Sequence, residues 1–181
     1  MLFSEVAELR YVFWLEITAR IETKILSPKT TYAAYFVFKF TDSKRGFNKK
    51  PVELSVKFEG SVDGEKRNVL LDVSPENDMP QLPQERGDGW MEVEMGEFFN
   101  ENGDDGMVVS SLREVDNYIT KHGLIVEGIE FRPKAGVHFE IMRRELKTYS
   151  LDSVNDVAFH SSLFILILPY DSKRPSTMGS Q

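Results

Sequence analysis

Few residues in this chain are of the types that do chemistry. It has no cysteine, which removes thiolate nucleophiles, thiolate metal ligands and disulfides together. Its three histidines, His122, His138 and His160, stand far apart and form no ligand pair, and without thiols to complete a tetrahedral set no dedicated zinc site is expected. Asn100, Asn102 and Asp104 are spaced like the first ligands of a calcium loop. Asp105, however, falls where that loop needs glycine, and Ser111 where it needs a bidentate glutamate. There is no G-x-S-x-G elbow and no phosphate-cradling Gly-Lys-Ser/Thr motif. Glu92 and Glu94 could divide acid and base work if they lined a cleft. On an alternating strand the ordinary reading is a solvated face, because charged side chains are seldom buried. What remains is recognition by rings. Trp90 follows the Asp88-Gly89 turn at a loop–strand junction, where it either shows a stacking face or begins the core; Trp14, inside a longer apolar run, reads as core.

The elements that must position such groups are short. Runs of β-branched and aromatic residues alternate with Gly, Pro, Asn and Asp clusters, the pattern of an antiparallel all-β sandwich or barrel. Strands are expected over Tyr11–Ile25, Tyr32–Phe40, Val52–Phe58, Val69–Val73, Trp90–Met95, Met107–Val115 and Leu124–Phe131. In the first of these Tyr11, Phe13, Leu15 and Ile17 alternate with Val12, Trp14, Glu16 and Thr18. Tyr32–Phe40 is almost unbroken in Tyr, Phe and Val, as in a strand covered on both faces. Val52, Leu54, Val56, Phe58, Leu124, Val126 and Ile129 are the expected core, with a bulge at Gly128 bringing Val126 and Ile129 to one face. Residues 74–89 hold three prolines and several charges, which predicts a long surface loop. Beyond Lys134 the character changes: His138–Leu146 reads as a strand or short helix, Leu163–Leu168 as a strand, and Ser172–Gln181 as a disordered tail.

At 181 residues and 41% hydrophobic content the chain suits one globular domain with its own core. A net charge of −7 argues against a broad nucleic-acid surface, which needs an excess of Lys and Arg. A local basic loop, Lys44, Arg45, Lys49 and Lys50, is left as either an anion or nuclear-import patch or plain solvated surface. The apolar run near Leu163 is too short to span a bilayer, and Met1–Arg10 has no basic region ahead of its apolar residues, so an intracellular protein is expected.

Five segments together resemble one family. Glu5-Val6-Ala7-Glu8-Leu9-Arg10, Trp14-Leu15-Glu16-Ile17, Lys24–Lys39, Gly89–Asn100 and Leu124–Lys134 are similar, in consistent order from Ser4 to Lys134, to the phloem protein 2 lectins, the Nictaba-like family of plants. The resemblance implies a jelly-roll-like β-sandwich over residues 1–134, shortened at its N-terminus, followed by an atypical extension over 135–181. It implies recognition of chito-oligosaccharides and of the GlcNAc core of N-glycans, in the cytoplasm and nucleus, with no catalysis, no metal and no cofactor. Many members carry an F-box ahead of the lectin domain, and none stands in this sequence. Expected partners are GlcNAc-containing glycans, proteins and a second copy of the chain; neither nucleic acid nor membrane is expected.

The departures bear on the site. The family's sugar site uses two tryptophans ahead of the Glu-Val-Ala-Glu-Leu stretch, a segment this sequence does not include. Met107 stands where an acidic residue follows the Gly103–Gly106 turn, and Thr120 where many members have tryptophan; Glu114 is kept. Carbohydrate binding is therefore assigned to Trp90, Glu114 and Lys121, with His122 beside them. Losing three or four contacts of about 1 kcal/mol each weakens binding roughly a hundredfold to a thousandfold, to the millimolar range. The second function class left open is a protein-interaction domain that keeps the lectin scaffold without the sugar site.

Overall fold

The computed structural model describes residues 6–62, 64–73, 82–104, 106–115 and 119–134, together with the backbone of 149–150, 162–163 and 165–167. Alternating apolar residues drive the chain into strands that each bury one face. These are β1 (Ala7–Leu9), β2 (Leu15–Glu22), β3 (Thr30–Arg45), β4 (Val52–Phe58), β5 (Glu65–Val69), β6 (Gln84–Glu85), β7 (Met91–Asn100), β8 (Met107–Glu114) and β9 (His122–Pro133). One sheet runs β1-β9-β3-β7-β6 and the other β2-β8-β4-β5, with every one of these pairings antiparallel. The chain crosses repeatedly from sheet to sheet, the wiring of a jelly-roll-like sandwich. Among the described residues no helix is long and apolar enough to cross a membrane.

The core lies between the sheets. Val52, Leu54, Val56, Leu124, Val126 and Ile129 are buried there as their spacing requires, while Phe58 is only partly covered. On β9 the register passes from Val37 opposite Gly128 to Phe38 opposite Val126, so Glu127 is the extra residue of a bulge. That bulge lets Val126 and Ile129, three apart, face the same core. β3 is covered on both sides: Ala34, Phe36 and Phe38 face the other sheet, whereas Ala33 and Val37 point outward and are nevertheless fully buried.

Several elements differ from expectation for physical reasons. β5 lies at Glu65–Val69 rather than Val69–Val73, because an edge strand with most of its side chains in solvent can carry Glu65, Lys66, Arg67 and Asn68. β3 continues past Phe40 to Arg45, pairing with His122 after a break in register. Part of the expected 74–89 loop is β6, which sits at the sheet edge, where its prolines' neighbourhood costs no interior hydrogen bonds. Tyr11–Trp14 is not part of a strand, and β2 starts at Leu15.

Beyond Lys134, β10 (Tyr149–Ser150) pairs with β11 (Ser162–Leu163), and β12 (Ile165–Ile167) runs parallel to Ile129–Phe131 of β9. β12 shares that edge with β1, which pairs with Leu124–Val126 further along. The expectations for His138–Leu146 and for a disordered Ser172–Gln181 lie outside the described residues.

Candidate functional site

Of the three residues assigned to sugar binding, two meet. Glu114 ends β8 in one sheet and Lys121 immediately precedes β9 in the other, and their side chains form an ion pair that is 4% and 1% exposed. The Lys121 ammonium also donates to the carbonyl of Phe13 at 2.6 Å and to that of Ile119 at 3.4 Å. Its stem lies against Gly46, where φ is +90° and an added Cβ would come 2.9 Å from Lys121 Cγ. Main-chain bonds complete the arrangement: Lys121 N donates to Val12 O at 2.7 Å and Val12 N to Lys121 O at 3.0 Å. Lys121 and Glu114 are thus shut away from solvent, and what Lys121 holds is the backbone of the segment around Val12 and Phe13.

That segment is the feature the sequence reading missed. Tyr11, Phe13 and Trp14 are 70%, 55% and 45% exposed, against the expectation that Trp14 is core. The Tyr11 ring lies 4.9 Å from that of His122. Strand periodicity failed here because the chain bends before Leu15 and no sheet covers it. A usable signal was present: Tyr11, Phe13 and Trp14 place rings on both phases of the alternation, which a strand covered on one face cannot bury.

Trp90 sits elsewhere, half-buried on the outer side of the first sheet. Its backbone N–H donates to Asp88 Oδ1 at 3.0 Å, closing the turn, and the Lys39 ammonium stands 4.4 Å from the ring centre. The structure therefore joins Glu114 to Lys121 and gives Trp90 different neighbours.

A second charged cluster explains why the outward side of β3 is buried. The register aligns Gly128, Val37 and Glu92 in one row and Glu130, Tyr35 and Glu94 in the next. Arg86, just past β6, folds over this face, 2.9 Å from Glu130, 3.7 Å from Glu127 and 3.6 Å from both Glu92 and Asp88. Arg132 grips Glu92 through hydrogen bonds of 2.9 and 2.6 Å, pairs with Glu130, and lies 4.2 Å from the centre of the Tyr35 ring. Glu92 and Glu94, expected in solvent, are mostly covered and held by arginines. Neutralisation by neighbouring strands has replaced hydration, and these carboxylates serve as ties rather than as an acid–base pair. Burial and then the charge of Glu94 push Tyr35 up to about 12. Burial pulls the Arg132 guanidinium down, but its hydrogen bonds to Glu92 and Glu130 outweigh this and raise it.

Carboxylates outnumber guanidiniums in this canopy, and Glu127 bears the excess. Burial raises its pKa; Arg86 opposes that, while Glu130 and Asp88 add to it. A carboxyl raised in the folded state favours folding while protonated, and that contribution disappears as pH rises through its folded pKa. Glu127→Gln is therefore expected to stabilise the domain at neutral pH, by an amount that shrinks as pH falls. Thermal melts across that pH range check it.

A β-sandwich whose surface carries uncovered rings beside a buried tether has the features of a binding domain. The chain belongs to the phloem protein 2 family, which its residues 1–133 match. It is 40% identical to F-box protein PP2-B10 of Arabidopsis thaliana over 135 residues, covering 72% of this chain and 49% of that protein. It is likewise 40% identical to F-box protein At2g02240 over 143 residues (72% and 42%), and 36% identical to F-box protein PP2-B13 over 157 residues (72% and 55%), both from the same plant. The chain spans about half the length of these curated relatives. The family is lectin-like and is not a known family of enzymes.

Proposed function

We propose that this chain is a carbohydrate-binding domain recognising GlcNAc oligomers or the GlcNAc core of N-glycans, acting in the cytoplasm and nucleus. One observation carries the reading: Tyr11, Phe13 and Trp14 stand exposed together along one short stretch of the sandwich surface, although tryptophan is highly buried on average. A neutral sugar presents apolar C–H faces that stack on such rings and hydroxyls that need polar partners at their rims. With Met107 and Thr120 at positions the family fills with an acidic residue and a tryptophan, binding is weak. Calorimetric titration with chitotriose is expected to give a millimolar dissociation constant, about −4 kcal/mol. A folded protein that gives no saturable heat on titration with chitotriose would reject the proposal.

A second reading is favoured by the relatives, whose names describe F-box proteins. On that reading the same scaffold selects a protein partner without sugar. A partner captured equally well from lysate treated with a glycosidase, together with a blank array, would support it.

A further inference from the structure

We infer that the sugar is bound on Tyr11, Phe13 and Trp14 with His122, and that the buried Lys121–Glu114 pair is the latch that presents them. This rests on the carbohydrate-binding reading above and assigns its site. The rings belong to a mostly exposed segment whose backbone is fixed at three points: two main-chain hydrogen bonds between Val12 and Lys121, and the Lys121 ammonium on the Phe13 carbonyl. Rings fixed before the ligand arrives lose little freedom on binding, which suits a weak ligand with few contacts.

The kinds of residue present select the ligand. Tyr11, Trp14 and His122 each combine a flat apolar face with a polar edge, a phenol hydroxyl, an indole N–H and an imidazole, and no long aliphatic side chain stands among the four. That mixture matches a pyranose, which alternates C–H faces with hydroxyls, better than an aliphatic peptide face. Size argues the same way. A large aromatic side chain offers about 150–250 Å², and these three are 45–70% exposed, so the platform falls short of the roughly 800 Å² per partner of a standard protein interface. From Tyr11 to Trp14 the backbone spans at most about 11 Å, which suits a short oligosaccharide. Trp90 is the poorer platform because the Lys39 ammonium already occupies its face; among the described residues no cation or ring lies over Trp14.

The chain has only two tryptophans, so each can be made the sole reporter. Chitotriose is titrated into wild type by calorimetry, and into Trp90→Phe and Trp14→Phe by tryptophan fluorescence and calorimetry, with circular dichroism as the folding control. Trp90→Phe is expected to bind within about twofold of wild type and to show a saturable change in emission from Trp14. Trp14→Phe is expected to bind at least tenfold more weakly with no change in emission from Trp90, and Tyr11→Ala to lose a similar factor. If wild type binds, Trp14→Phe and Tyr11→Ala bind like wild type, and only Trp90→Phe fails, the assignment is overturned and the carbohydrate reading stands. If wild type itself binds no chitotriose and no glycan on an array, both are overturned.

Discussion

Replacing Arg86 with methionine is expected to cost about 3–5 kcal/mol, the range seen when one partner of a buried ion pair is removed. Its side chain is 3% exposed and stands among Glu130, Glu127, Glu92 and Asp88, of which Glu130 is wholly buried. Methionine fills most of the volume but leaves Glu92 and Glu130 to share Arg132 and takes from Glu127 its arginine, so the loss is electrostatic rather than a cavity. In a chain of this size the melting temperature should fall by on the order of 10 °C. The deficit should shrink as pH falls, because carboxylates that lack a cation take up protons and cease to repel one another. Adding Glu127→Gln should recover part of it, since the two residues are in contact and their effects are not additive. Urea denaturation of the single and double variants measures both. A loss below about 1 kcal/mol, the level of an exposed pair, would show that the canopy is open to water.

Lys121→Met is expected to do comparable damage and to reach the rings as well. It strands the Glu114 carboxylate in the interior and releases the Phe13 and Ile119 carbonyls, for a loss of about 3–5 kcal/mol. Combining it with Glu114→Leu should restore most of the stability, because a buried pair replaced on both sides by apolar groups is often neutral. The double variant should nonetheless bind chitotriose less well than wild type, since Phe13 has lost its ammonium tie while the fold is intact. A double variant that stays as unstable as Lys121→Met would show that the lysine acts through its bonds to the Phe13 and Ile119 carbonyls rather than through its pairing with Glu114.

What could be read from the sequence was whatever depends on near neighbours. Val52–Phe58 announces its strand and its buried face through alternation alone, and Gly128 marks the bulge that phases β9. β5 escaped because four consecutive polar residues hide a strand that pairs on only one side. The canopy escaped because Glu92 and Glu94 look solvated until β3 and β9 bring Tyr35, Glu130 and Arg132 beside them, and no local pattern encodes which arginine will arrive. The same limit governed the site: Glu114 and Lys121 were both singled out, but their pairing is made across the two sheets. Tyr11–Trp14 was misread for the opposite reason, since local alternation predicts a strand and only the sandwich's geometry leaves it uncovered.

The position of β12 has a consequence for the protein while it is being made. β9 is complete when Pro133 leaves the ribosome, but the strand that pairs with Ile129–Phe131 is translated only at Ile165–Ile167. At about 5–20 residues per second that leaves a few seconds during which a nearly finished sandwich presents bare backbone donors and acceptors. A parallel pairing closed over a long connection then forms slowly. Nascent chains crowded on one polysome would offer each other the same unpaired edge. The yield of this protein should accordingly depend on how fast and how densely it is translated, even where the finished fold is stable.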